Sequence, residues 1–376
     1  DWSSDVCSSD LSHSEAVEKF PATQYPNIKN IIFQSSNMEL PPESLSIFFK
    51  NLTSNFNPER FSMKIINCQS LGQDQFIQLS HSLSKFTALQ HLVLILSPSY
   101  CASRDERSAF LSIFDSFKAL LSLTLELKPQ LGNMDEHDLE VLGTKLQNLH
   151  LLQKLSLAFD MNYDISDKGC KKLLSGISSL NKLSSFKIVI EKQKCVTNAT
   201  AIALKECLTN LYSLRRLNIQ IVKCGLTDES CKEFWEGIQA LKHLESLTLK
   251  LNNNKLGEKA LVYLKHLLSE QKKLIKLSLA IPMFKTGDGN QALADGLAYL
   301  KSLLILKLRI DCIPLTGFGR TGADKIKDVI KTLPRIKYLY WELPSSIASI
   351  YEEELYDSLK NLEYVAWQHV TTSISK

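Results

Sequence analysis

One eight-residue phrase recurs along the chain at nearly constant spacing, and nothing else in the sequence limits the possible folds so severely. It reads LQHLVLIL from Leu89, LLSLTLEL from Leu120, LQKLSLAF from Leu152 and LSSFKIVI from Leu183. It continues as LRRLNIQI from Leu214, LESLTLKL from Leu244, LIKLSLAI from Leu274 and LLILKLRI from Leu303. Divergent copies begin at Ile28, Pro58, Ile336 and Leu362, giving twelve copies at intervals of 26 to 33 residues. The third, fifth and seventh residues after each start are apolar, except Ser35 and His369, across 36 positions. Such alternation is the period of a strand with one buried face.

The segments between the strands carry a different period. In Asp228 to Leu241, residues Cys231, Phe234, Trp235, Ile238 and Leu241 share one helical face, and Thr227 or Asp228 can cap the helix. Further helices are predicted over Asp167 to Leu180, Glu258 to Leu268, Asn290 to Leu300 and Ala323 to Leu333. One strand-turn-helix unit cannot bury both its strand face and its helix face, so neighbours must stack. Helices are wider than the strand spacing of about 4.8 Å, so the stack should curve with its strands inside. The expected fold is an α/β solenoid of horseshoe form, with a parallel sheet on the concave face and helices on the convex face. A doubly wound sheet also alternates strands with helices, but it does not call for near-identical phrases at fixed spacing.

These residues resemble the leucine-rich repeat family over about Ile28 to Lys376. A unit of about thirty residues with a full helix is similar to its ribonuclease-inhibitor-like class. The family's LxxLxLxxN/CxL is lengthened by two residues here, as in LRRLNIQIVKCGL from Leu214 and LESLTLKLNNNKL from Leu244. The resemblance implies that Cys224 and Asn254 hydrogen-bond loop backbone between neighbouring coils. The phrases CGLTDES from Cys224 and DISDKGC from Asp164 resemble the cysteine-containing class of F-box-type substrate receptors. The lengthened repeat is also similar to arrays in ciliate proteins, some of them joined to protein kinases.

Composition bounds the setting. Of 376 residues, 44% are hydrophobic and 22% charged, which supplies a large core and excludes a disordered chain. No run approaches eighteen apolar residues, so no membrane partner is expected. Nine cysteines without a CxxC fit buried thiols in a reducing, cytoplasmic setting. Residues 1–11, DWSSDVCSSDL, share no periodicity with the rest of the chain and resemble a translated sequencing adapter. They are expected to be non-native, leaving 12–376 as the repeat domain of about twelve units, the first two divergent.

Several chemical motifs fail on context. Gly317-Phe318-Gly319-Arg320-Thr321-Gly322 satisfies GxGxxG, but it occupies the strand-to-helix loop of an ordinary repeat, and no second mononucleotide-binding half comes after it. Gly287-Asp288-Gly289-Asn290 reads as a turn, because the spaced acidic ligands of a calcium loop are missing. Eight dispersed histidines without HExxH give no zinc site. GxSxG, GxxxxGK[ST] and the kinase signatures do not occur, so no catalytic residue, metal or cofactor is assigned.

Function is expected on the outward strand positions, the second, fourth and sixth after each start. They carry Arg60, Lys64, Lys154, Lys187, Arg216, Lys250, Lys276, Lys307 and Arg309 against Glu126 and Glu342. That net of +7 exceeds the +4 of the whole chain, so the face should attract an acidic protein. Tyr338, Tyr340 and Tyr364, on adjacent strands, are candidate anchors near Arg309, while Trp341 and Trp367 fall in the core register. The expected role is a non-catalytic protein-interaction scaffold. The family resemblance leaves two alternatives, a Ran-type activator acting on a small GTPase and a substrate-recognition subunit of an F-box-type ubiquitin ligase. Nucleic acid is disfavoured as a partner, because a net charge of +4 does not by itself imply one and this face lacks a stacking aromatic in every repeat.

Overall fold

The computed structural model describes residues 29–36, 42–55, 57–66, 71–96, 102–127, 134–159, 166–192, 197–282, 287–311, 320–344, 359, 362 and 364–370. The chain divides into two compact units, Asp1–Gln193 and Lys194–Lys376. Each is an α/β solenoid of strand–helix repeats.

In the first unit, β1 (Asn30–Ser36), β2 (Arg60–Ile66), β3 (His91–Leu96), β4 (Ser122–Leu127), β5 (Lys154–Phe159) and β6 (Ser185–Glu191) pair in chain order. Every pairing described is parallel. The connecting helices are α1 (Pro42–Asn55), α2 (Gln73–Leu83), α3 (Arg104–Leu111), α4 (Glu136–Leu146) and α5 (Asp167–Ile177), with a 3-10 turn over Ser112–Ser116. The second unit repeats the scheme. Strands β7 (Arg216–Val222), β8 (Ser246–Lys250), β9 (Lys276–Pro282), β10 (Ile305–Asp311), β11 (Tyr338–Pro344) and β12 (Tyr364–Val370) are parallel and in chain order. Its helices are α6 (Asn198–Asn210), α7 (Asp228–Gln239), α8 (Glu258–Glu270), α9 (Gly287–Ala298) and α10 (Arg320–Thr332).

Each strand sits where its phrase predicts. Among the described side chains every inward position is buried except Phe33, which is half-buried. Pairing is residue to residue, as in Leu123 with Leu155 and Leu249 with Leu279, so the inward side chains stack as continuous rows. Those rows meet the apolar helix faces, such as Cys231, Phe234, Trp235 and Ile238 of α7. Trp341 is fully buried, as its register requires, whereas the Trp367 side chain lies outside the described residues.

Helix starts follow local chemistry. Thr227 caps α7, and Ser230 returns a bond to the Thr227 backbone, closing a capping box. Asp135 and Asp138 do the same for α4. Two helices begin three residues before their predicted starts, which corrects the reading of their glycines. Gly287 to Asn290 form the first turn of α9 rather than a free turn. A Cβ on Gly289 would lie 3.1 Å from Leu261 Cδ1, so this glycine serves helix packing. Gly322 likewise falls in the first turn of α10, while residues 312–319 lie outside the described residues.

Polar groups knit the repeats together. Asn254 Nδ2 donates to the Ile221 and Leu251 carbonyls at 2.6 and 2.9 Å, and its Oδ1 accepts the Cys224 N–H at 3.0 Å. One side chain thus satisfies three backbone groups from two repeats, at the end of β7 and in the loops that follow β7 and β8. The Cys224 sulfur donates within its own repeat, to the Val222 carbonyl at 3.5 Å. Buried Gln271 reaches the Ile238 carbonyl at the end of the preceding helix, at 3.1 Å. In the first unit Arg107 of α3 meets fully buried Asp138 of α4 at 2.7 Å, while its other arm donates to the Ala102 carbonyl at 2.6 Å.

Candidate partner-binding face

Strand pairing converts the outward positions into three rows. In the first unit one row runs Arg60, His91, Ser122, Lys154, Ser185, and Lys187 and Lys64 lie in the other two. In the second unit the rows are Arg216, Ser246, Lys276, Ile305, Tyr338, Tyr364; Asn218, Thr248, Ser278, Lys307, Tyr340, Ala366; and Gln220, Lys250, Ala280, Arg309, Glu342, Gln368. Among the described side chains in these positions Ala280 alone is buried. Arg60, Lys154, Arg216, Lys250, Lys307 and Arg309 are exposed, and Lys64, Lys187 and Lys276 are half-buried. Small Ala280 separates Lys250 from Arg309, holding these two positions about 9.6 Å apart at two strand spacings.

The field of the first unit registers on His91. Partial burial lowers the imidazole pKa below its ordinary 6.5, and the charges of Arg60 and Lys154 push it the same way. Arg60 is on the adjacent strand and Lys154 two strands away on the other side. A neutral histidine in a basic row carries no formal charge, so counting Lys and Arg passed over it.

The tyrosine end is more tightly organised than strand order suggests. Tyr338 pairs in register with Tyr364, while Tyr340 pairs with Ala366. The Tyr340 hydroxyl donates to Glu342 Oε1 at 2.8 Å, and Arg309 Nε lies 3.2 Å from Glu342 Oε2. Lys307 Nζ stands 5.7 Å from the centre of the Tyr340 ring, within cation–π range. Glu342, read from sequence as one of two acids on a basic face, therefore fixes Tyr340 and Arg309 in place. Tyr338 is 43% exposed and the more accessible anchor; the Tyr364 side chain lies outside the described residues.

Among the described residues no three His, Cys, Asp or Glu side chains converge as a metal site, and no helix is long and apolar enough to cross a membrane. Cys170, Cys207, Cys224 and Cys231 are thiols, and burial pushes Cys207 up to about 12. The other five cysteines lie outside the described residues, as do residues 1–11.

No family model matches the chain, and no curated protein matches it. Among solved structures it is similar to an internalin from Listeria monocytogenes. The identity is 14%, the match covers 98% of this chain and 88% of that one, and the TM-score is 0.42. The fold assignment accordingly rests on the repeats themselves.

Proposed function

We propose that the chain is a non-catalytic recognition scaffold whose outward sheet positions bind an acidic protein. The observation that carries this reading is the alignment of basic side chains in rows on an accessible sheet face, with His91 held towards its neutral form inside one of them. Exposed charges attract an acidic partner before contact, whereas burial of an aromatic side chain matters once docking is complete. Lys250 and Lys276 are assigned to the first stage, and Tyr338 and Tyr340 to the second, with Tyr364 beside them in the strand register. Arg216, Lys307 and Arg309 extend the basic surface of the second unit, and Arg60, Lys64, Lys154 and Lys187 supply that of the first. Ser246, Thr248 and Ser278 keep the intervening surface small and polar, which suits broad contact with a folded protein. A reducing, cytoplasmic setting is proposed with it, supported by the thiols of Cys170, Cys207, Cys224 and Cys231.

The test begins with a photo-reactive residue at Lys250 on the sheet face, or at exposed Val262 on α8, in the full chain. Cross-linking of the partner from position 250 and not from 262 is the expected outcome. Kinetics then separate the two stages. Lys250→Glu with Lys276→Glu should slow association about tenfold at low salt, and Tyr340→Ala should mainly speed dissociation. Cross-linking from 262 alone, with kinetics unchanged in both variants, would refute the reading.

A further inference from the structure

Positive charge also gathers on a second surface, the edge formed where each helix of the second unit returns to its strand. The five return segments, 211–215, 240–245, 271–275, 299–304 and 333–337, contain seven basic residues and one acidic residue, Glu245. Basic side chains beside helix C-termini are favourable in any protein, because they offset the partial negative charge of the terminal carbonyls. The first unit controls for that effect. Its equivalent segments, 57–59, 84–90, 117–121, 147–153 and 178–184, end helical elements of the same kind yet hold three basic residues and one acidic. Helix termini alone therefore do not account for the excess.

The edge is also shaped. A cleft of about 530 Å³ opens between the ends of α8 and α9, lined by Lys265, Lys272, Asp295, Ala298, Tyr299 and Lys301. Lys265 is held by Asp295 at 2.7 Å, so its charge is already matched. Lys272 and Lys301 are exposed and, among the described residues, have no ion-pair partner; neither does their neighbour Lys273. Tyr299 stands beside them with 49% of its surface exposed. Accessible lysines around an exposed aromatic ring in a recess of nucleotide size offer phosphate contacts and a stacking platform together.

We infer that this edge binds single-stranded nucleic acid, with Lys272, Lys273 and Lys301 on successive phosphates and a base stacked on Tyr299. A duplex has no free base face to present to Tyr299. A bilayer calls for a projecting apolar rim, whereas here the lysines line a recess. An acidic peptide would gain most from the forked geometry of arginine, but the cleft offers lysines. The expectation against nucleic acid rests on the net charge of the whole chain and on the sheet face, and the edge departs from it because the charge of the return segments is gathered on a different surface.

The experiment is fluorescence anisotropy of a labelled oligouridylate of twelve nucleotides with the full chain. Three phosphate contacts predict a slope of log affinity on log salt near −2, roughly an 18-fold loss between 50 and 200 mM salt. Lys272→Ala with Lys301→Ala should flatten that slope by about 1.4. Tyr299→Ala should weaken binding by ~5- to ~150-fold with the slope kept, and Tyr299→Phe should restore it. Lys250→Ala, on the sheet face, should leave oligonucleotide binding unchanged, which separates this inference from the acidic-protein reading. The inference is overturned if the oligonucleotide does not bind, or if the edge variants bind it normally. It is equally overturned if polyglutamate displaces the oligonucleotide at equal charge, or if phosphatidylserine vesicles capture the protein while the oligonucleotide does not.

Discussion

Gly176→Ala sets two known effects against each other. Alanine is the better helix former by up to about 1 kcal/mol, so on α5 taken alone the substitution stabilises. Packing opposes it. A Cβ built at Gly176 lies 2.0 Å from the Gly143 carbonyl oxygen and 2.7 Å from Gly143 Cα on α4. Ordinary contact begins near about 3.4 Å, so the two helices must separate by more than 1 Å, and the obstacle is backbone that no rotamer change removes. Moving α5 disturbs fully buried Leu139, Leu142 and Ile177 and buried Leu173. Overpacking of this kind costs about 1 to 3 kcal/mol and occasionally more, so packing wins, with a net loss of about 2 kcal/mol. With a urea m-value of about 2 kcal/mol per molar, the unfolding midpoint of the α4–α5 region should fall by about 1 M. Circular dichroism in urea measures it, with Ser175→Ala, exposed on the same turn, as the control that gains only propensity. If Gly176→Ala is as stable as Ser175→Ala, the close approach of the two helices is wrong.

Neighbouring substitutions on β8 test the strand register: Leu249→Ala, at a fully buried position, should cost about 2 to 5 kcal/mol, and Lys250→Ala should stay within about 0.5 kcal/mol. Equal losses in urea unfolding would mean that the two faces are exchanged. Arg107→Met should lose about 3 to 5 kcal/mol by stranding the buried Asp138 carboxylate, and adding Asp138→Asn should recover much of it; a double variant no more stable than the single would dismiss the buried-charge argument. For His91, the folded pKa lies below 6.5, so the unfolded chain takes up the proton first as pH falls. Stability should decline as pH drops through 6.5 and stop declining below the folded value, and Arg60→Gln should raise the pKa read by NMR; an unchanged titration would show that the row exerts no field at His91.

The strands, their inward side chains and the side of the sheet left to solvent were legible in the sequence, because each is set by short-range periodicity. Leu249 and Lys250 illustrate it, adjacent in the chain and opposite in burial, as alternation on a strand demands. A repeat magnifies that local signal, since the same pattern must satisfy the same neighbours in each coil. Asn254 was readable for the same reason: its carboxamide serves backbone groups at fixed offsets within its own repeat and the one before.

What the sequence left open depends on which side chains meet across about thirty residues with no pattern to announce it. Nothing in the spelling of Glu342 says that it holds both Tyr340 and Arg309, and nothing around Gly176 says that Gly143 lies against it. The Arg107 and Asp138 pair, the depressed pKa of His91 and the cleft beside Tyr299 are of that kind. Periodicity specifies which way a side chain points, and that much is a property of the backbone alone. How closely two helices approach, and which charge ends beside which ring, comes from packing the faces together, so only the tertiary structure decided it.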